Sequence, residues 1–355
     1  MLAQLLITLV LQSQPAEMSA PVSTGATSPQ PANSLESQTP SWFSPTLLGK
    51  ARLQAFEKDP LLPENTTGFR VTLLELGAAG TLSEHWSYRV KINAAVEVIP
   101  LDFYADYKPL PQVSLRFGQF KAPFGKEELS STGALVLPDR ALVAGLAPSR
   151  DIGVMAFGDE GPLGYAAGVF NGEGRNLARN INNAFPSVGR VTLTPWGDRV
   201  DGAESLSPRR RGLTLGVNAG LNYHGDLQSA KEVLAGTDVS YYVGRFGLMA
   251  EWDLAKFAPP GFAKVPPYQR SGFYVQPAFL IGRRWEWALR YERFEPNSAL
   301  TTVQNQSIEG ITLGTSVYFD AGRELLTIAY GKFAEREGPL LNNNTLIAQL
   351  QLRME

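Results

Sequence analysis

Cysteine is absent from the 355 residues, and histidine occurs only at His85 and His224. The first absence excludes disulfide scaffolds, thiolate metal sites and cysteine nucleophiles. The second leaves two imidazoles for proton transfer or metal binding, and neither has a catalytic setting. His85 borders a turn beside Trp86, and His224 ends an alternating segment just before Gly225-Asp226. The chain has no G-x-S-x-G elbow, phosphate loop or EF-hand spacing, so no enzyme and no cofactor is expected. Net charge is lacking as well: 32 basic against 34 acidic residues give −2, which makes no electrostatic case for a nucleic-acid partner. Long hydrophobic runs are also missing. "LLITLVL" at residues 5–11 falls far short of the roughly 20 residues a membrane helix needs.

That short run, followed by small residues at Ala16 and Ala20, reads as the apolar core of a signal peptide over residues 1–20. Residues 21–46 are rich in Pro, Ser, Thr and Gln, a composition that cannot bury enough apolar surface to order itself, and read as a flexible segment. The folded part is expected over residues 47–355.

From there the apolar period is two residues. In "WSYRVKINA", Trp86, Tyr88, Val90, Ile92 and Ala94 alternate with Ser87, Arg89, Lys91 and Asn93. In "LTLGVNAGLNYH", Leu213, Leu215, Val217, Ala219 and Leu221 oppose Thr214, Gly216, Asn218, Gly220 and Asn222. Strands are expected at about 48–56, 68–78, 84–96, 98–108, 111–121, 150–158, 163–171, 187–196, 211–223, 237–244, 245–256, 270–281, 284–295, 307–319, 323–335 and 344–355. Soluble strands run about 5 or 6 residues. Most of these are longer and match the roughly 9 to 11 residues of a tilted membrane-spanning strand.

The links alternate between short and long, as periplasmic turns and outer loops do, with exceptions near Ile99 and at 197–212. Trp86, Trp196, Trp252, Trp285 and Trp287 fall in or beside strands, where interfacial aromatic girdles would put them. The fold class expected is therefore all-β: a 16-stranded antiparallel transmembrane β-barrel in the outer membrane of a Gram-negative-type bacterium, in contact with its lipid. Closure satisfies every backbone group in lipid, which an open sheet does not.

If the apolar phase faces lipid, the inward set includes Lys50, Arg52, Arg89, Lys91, Asp102, Asp106, Arg190, Glu251, Asp253, Glu286, Arg290 and Glu292. Cations dominate the early strands and anions the later ones. The acidic pairs Glu127/Glu128 and Asp102/Asp106 read as solvated charge, not as a metal site. Residues 122–149, the third outer loop, have no clear period. Leu135, Val136, Leu137, Leu142, Val143 and Leu146 stand there among Lys126, Glu127, Glu128, Asp139 and Arg140. Such a mixture is out of place in an exposed loop, and an inward fold that narrows the pore would give both kinds of residue a setting.

"RFGQFKAPFGKEE" from Arg116, "PSRDIGV" from Pro148 and "GYAAGVFNGEGRN" from Gly164 together resemble the phosphate-selective porin O and P family. The likeness is strongest over Arg116–Asn176 and continues afterwards only as pattern. It implies a homotrimeric outer-membrane channel whose inward-folded third loop constricts passage, with basic residues guiding small anions, phosphate among them. The candidate pore-lining and anion-binding residues are Arg89, Lys91, Arg116, Lys121, Lys126, Arg140 and Arg150, of which Lys121, Lys126 and Arg140 are expected at the narrowest part. The alternative is a structural or binding barrel plugged by that loop and not conducting.

Overall fold

The computed structural model describes residues 42–354 apart from 60, 63–64, 178, 181–183, 200–210, 225–229, 260–265, 299–306, 320–322 and 337–339. The signal peptide expected at 1–20, and the flexible segment up to residue 41, lie outside the described residues. Sixteen strands follow in chain order. They are β1 Ser44–Phe56, β2 Gly68–Thr81, β3 Trp86–Asn93, β4 Ile99–Leu110, β5 Val113–Lys121, β6 Arg150–Glu160, β7 Leu163–Phe170 and β8 Ser187–Gly197. Then come β9 Arg211–His224, β10 Ala230–Val243, β11 Phe246–Ala258, β12 Tyr268–Ile281, β13 Trp285–Glu295, β14 Ile308–Phe319, β15 Glu324–Glu335 and β16 Thr345–Met354. Each pairs antiparallel with its sequence neighbours, and β1 closes the ring on β16, from Leu47 opposite Met354 to Phe56 opposite Thr345.

All sixteen expected strands are present; most ends shift by no more than three residues, and two starts move further. β1 begins at Ser44, inside the stretch read as flexible, because Ser44–Thr46 pair with Gly77–Ala79 of β2. β10 begins at Ala230 and not near 237, because its pairing with β9 runs unbroken to His224. The early part of β10 escaped the period-two reading because inward-facing Leu234 is apolar and buried, while its neighbour Val233 is exposed. The exceptional links are also real: β3 and β4 are joined by only residues 94–98, and β8 and β9 by 198–210.

Burial is inverted relative to a water-soluble protein. Val217 is 62% exposed while Asn218 beside it is 2%, and Phe103 is 67% exposed while Asp102 is 8%. Lys50, Asp238, Glu251, Asp253, Glu286, Arg290 and Glu292 are buried, whereas Leu215, Leu289, Ile311, Ile328 and Leu350 stand out on the surface. An apolar belt of this kind would be costly in water and is stabilising against acyl chains, at about 25 cal/mol per Å². The five tryptophans singled out above are all exposed. Trp86, Trp196 and Trp285 sit at the barrel end that carries the β2–β3, β8–β9 and β12–β13 links.

Candidate functional site

The chain leaves β5 after Lys121, and the residues before β6 hold little regular structure: one helical turn at Lys126–Leu129 and two 3-10 turns, Thr132–Ala134 and Leu142–Leu146. Gly125 makes the departure with φ of +69°, a left-handed conformation that favours glycine. From there the segment's partners lie on strands remote from β5 in the ring. Lys50 of β1 donates to the Thr132 carbonyl at 2.7 Å, and Gln351 of β16 to the Gly133 carbonyl at 2.9 Å. The backbone N–H of Glu127 donates to Glu251 of β11 at 2.7 Å, and that of Leu142 to Glu292 of β13 at 2.6 Å. Arg290 of β13 returns the pairing, donating to the Asp139 carbonyl at 3.0 Å, and Arg52 of β1 pairs with the Asp139 carboxylate at 2.7 Å.

Apolar contacts reinforce these polar ones. Phe124, Leu135, Val136, Leu137, Val143 and Leu146 are buried in one cluster with Leu234, Tyr242, Met249, Tyr274 and Leu280 of β10 to β12. Glycine makes room on the strands. A Cβ at Gly314 would collide with Leu137, and one at Gly272 would meet Val143 at 3.4 Å. The leucines and valines that looked misplaced in an outer loop therefore have a dry partner surface, made of the inward-facing apolar residues of β10–β12.

Opposite that surface lies a cavity of about 430 Å³ bounded by β2–β8 and the near side of the segment. Six of the seven candidate residues line it: Arg89, Lys91, Arg116, Lys121, Lys126 and Arg150. Arg190 and Arg199 line it too, against the carboxylates of Glu75, Asp102 and Asp159. Arg140 is elsewhere. Its guanidinium is turned into the segment itself, donating to the carbonyls of Glu127 and Ser130 and to the Thr132 hydroxyl, with Glu128 at 3.7 Å. It clasps the turn that carries Lys126 and does not border the cavity.

Most of the cavity's cations are paired. Lys91 meets Glu75 at 3.0 Å, Arg150 meets Asp102 at 2.6 Å, and Arg116 grips Asp106 with two bonds of 2.7 and 2.8 Å. Arg190 forks onto Asp238, and Arg199 meets Asp159. Lys121 donates to the carbonyls of Glu128 and Ser130, the latter at 3.3 Å. Arg89 is different: it is exposed on β3, and its guanidinium makes no hydrogen bond or ion pair among the described residues.

Register explains part of this pattern. Arg116 stands opposite its ion-pair partner Asp106, whereas Lys91 stands opposite Asp102 but pairs with Glu75 of β2, and Arg89 stands opposite Tyr104. The Arg116 guanidinium lies 3.8 Å from the Tyr104 ring centre, 4.9 Å from that of Phe157 and 5.5 Å from that of Phe120, distances at which a cation is attracted to an aromatic face. Sequence reasoning missed this aromatic lining. Tyr104 shares the phase of Asp102 and Asp106 in "LDFYADY", which was the signal that could have found it.

A closed sixteen-stranded barrel with an apolar outside and charged inside is the architecture of an outer-membrane porin. The profile of the phosphate-selective porin O and P family matches residues 51–352, nearly the whole described barrel, and the chain belongs to that family. No curated protein sequence matches it.

Solved structures agree on the fold at low identity. The anion-selective porin from Comamonas acidovorans superimposes with a TM-score of 0.63 at 10% identity, over 88% of this chain and 99% of that one. OmpT of Vibrio cholerae in its trimer form gives 0.57 at 12%, over 88% and 99%. Salmonella typhi OmpF, in complex with daunomycin, gives 0.63 at 9%, over 88% and 97%. The chain is thus an outer-membrane porin.

Proposed function

We propose that this porin passes small anions, phosphate among them, by passive diffusion, and that residues 122–149 fold into the lumen and set its narrowest part. The observation that carries the reading is the excess of eight cationic side chains over three carboxylates around one water-accessible cavity beside that segment. A ring of one sign lowers the entry barrier for the opposite ion, and pairing with carboxylates keeps the hold weak enough for release. The inward position of 122–149 is supported by its hydrogen bonds to β1, β11, β13 and β16. Lys121 and Lys126 line the passage in this arrangement, and Arg140 stiffens the turn that presents them. A homotrimer is supported by family membership and by the trimer form of the Vibrio cholerae barrel.

The test is planar-bilayer recording with a salt gradient. Discrete conductance steps with a reversal potential on the anion side are expected. Absence of steps would favour a plugged, non-conducting barrel, and a cation-side reversal potential would sink anion selectivity.

A further inference from the structure

The cavity lining does not resemble a site made for a bare, multiply charged oxyanion. A phosphate dianion is held by several convergent donors that have no other acceptor. Here six of the eight cations already have a carboxylate partner, Lys121 among them with Glu128 at 3.7 Å, and a solute that used them would have to displace Glu75, Asp102, Asp106, Glu128, Asp159 or Asp238. Arg89 alone stands exposed without such a partner among the described residues.

What the lining offers beside that one open charge is apolar. Tyr104 stands directly across from Arg89 in the strand register, and Phe157, Phe120 and Met155 continue the surface on β5 and β6. The Arg116 guanidinium lies 3.8 to 5.5 Å from the centres of three of these rings and is paired with Asp106, so it is weakly hydrated. Arginine is the cation least hydrated and best suited to stacking. A volume of about 430 Å³ lies within the range of small-molecule sites.

We infer that the solute this cavity favours is a monovalent organic anion with a planar, aromatic body, its carboxylate at Arg89 and its ring against Tyr104, Phe157 and the neighbouring Arg116. The inference rests on the anion-porin reading and narrows its substrate class. A small aromatic carboxylate gains two contacts at once, whereas acetate gains only the first and phosphate must compete with the built-in carboxylates.

The test uses the full-length protein in planar bilayers bathed in potassium chloride, with benzoate, acetate or phosphate added and the concentration for half-block of the chloride current recorded. Benzoate is expected to half-block at a concentration about fivefold to tenfold below acetate, the scale of one aromatic contact, and below phosphate. Phe157→Leu, which keeps an apolar side chain but removes the ring, should bring benzoate and acetate together. Tyr104→Leu should do the same, which guards against one variant failing to assemble. Lipid-facing Phe103→Leu should leave the benzoate-to-acetate ratio as it was. Equal half-block by benzoate and acetate in the unmodified protein would overturn the inference while leaving anion selectivity intact. Tighter block by phosphate than by benzoate would overturn it in favour of the oxyanion. A cation-side reversal potential would instead remove the reading on which it stands.

Discussion

The inward faces of β3–β8 and of β10–β14 are both rich in charge, and they use it differently. On β3–β8 the charges pair side chain to side chain, as Arg116 with Asp106 and Arg150 with Asp102, and border open volume. On β11–β13 they serve the backbone of another segment. Glu251 and Glu292 accept N–H groups of Glu127 and Leu142, and Arg290 donates to the Asp139 carbonyl. A carboxylate that accepts a backbone N–H makes a charge-assisted hydrogen bond, about twice as strong as a neutral one, and so ties the segment to the wall. Two carboxylates of β11–β13 are thus engaged with residues 122–149, while the cations of β3–β8 border open volume. The near-zero net charge of the chain conceals this separation.

Breaking the holding side should give the largest effect. Glu292→Ala removes the acceptor of the Leu142 N–H and strips Arg290, 3% exposed, of the carboxylate 3.0 Å from its Nε. Leaving a buried charge uncompensated costs about 3–5 kcal/mol. Thermal melting in detergent should show a lower transition, and single channels should become noisy as 122–149 loosens; an unchanged melt would mean that this wall does not hold the segment. Gly314→Val is the apolar counterpart. Its side chain would enter the space of Leu137 and cost about 1–3 kcal/mol of overpacking, seen as a smaller drop in the same melt.

The cationic side responds more gently. Arg89→Gln should lower the anion-over-cation permeability ratio roughly fivefold, because a unit charge about 8 Å from an ion in water is worth about 0.5 kcal/mol and acts with opposite sign on the two ions. Reversal potentials measure it, and a ratio that does not move would show that Arg89 stands away from the ion path. Smallest per step, and free of any mutation, is the salt dependence. Selectivity should decline steadily between 0.1 M and 1 M chloride, as the Debye length shrinks from about 10 Å to about 3 Å.

The strands were legible because lipid on one side and water on the other impose a two-residue period that survives in single stretches such as "LTLGVNAGLNYH". Legibility failed where an inward residue is apolar, as with Leu234 at the start of β10, since the period then loses its contrast. The basic residues of the site were legible as inward-facing cations. Arg140 was grouped with them by sequence neighbourhood, and its guanidinium lies on the carbonyls of Glu127 and Ser130 that the segment's own turns bring to it. Arg199 was missed because it lies just past the end of β8, and the rings of Tyr104 and Phe157 because an uncharged side chain in the inward phase does not stand out, although Tyr104 shares the phase of Asp102 and Asp106.

Number and facing of the strands thus follow from the sequence alone, because each depends on a residue and its neighbours two positions away. Which charges neutralise one another is decided only by the closed ring. Arg150 meets Asp102 across 48 positions, Glu251 holds the Glu127 N–H across 124, and Glu292 holds the Leu142 N–H across 150. These encounters exist only after sixteen strands have come into register. Until then each charge is solvated separately, and no local pattern records which partner it will find.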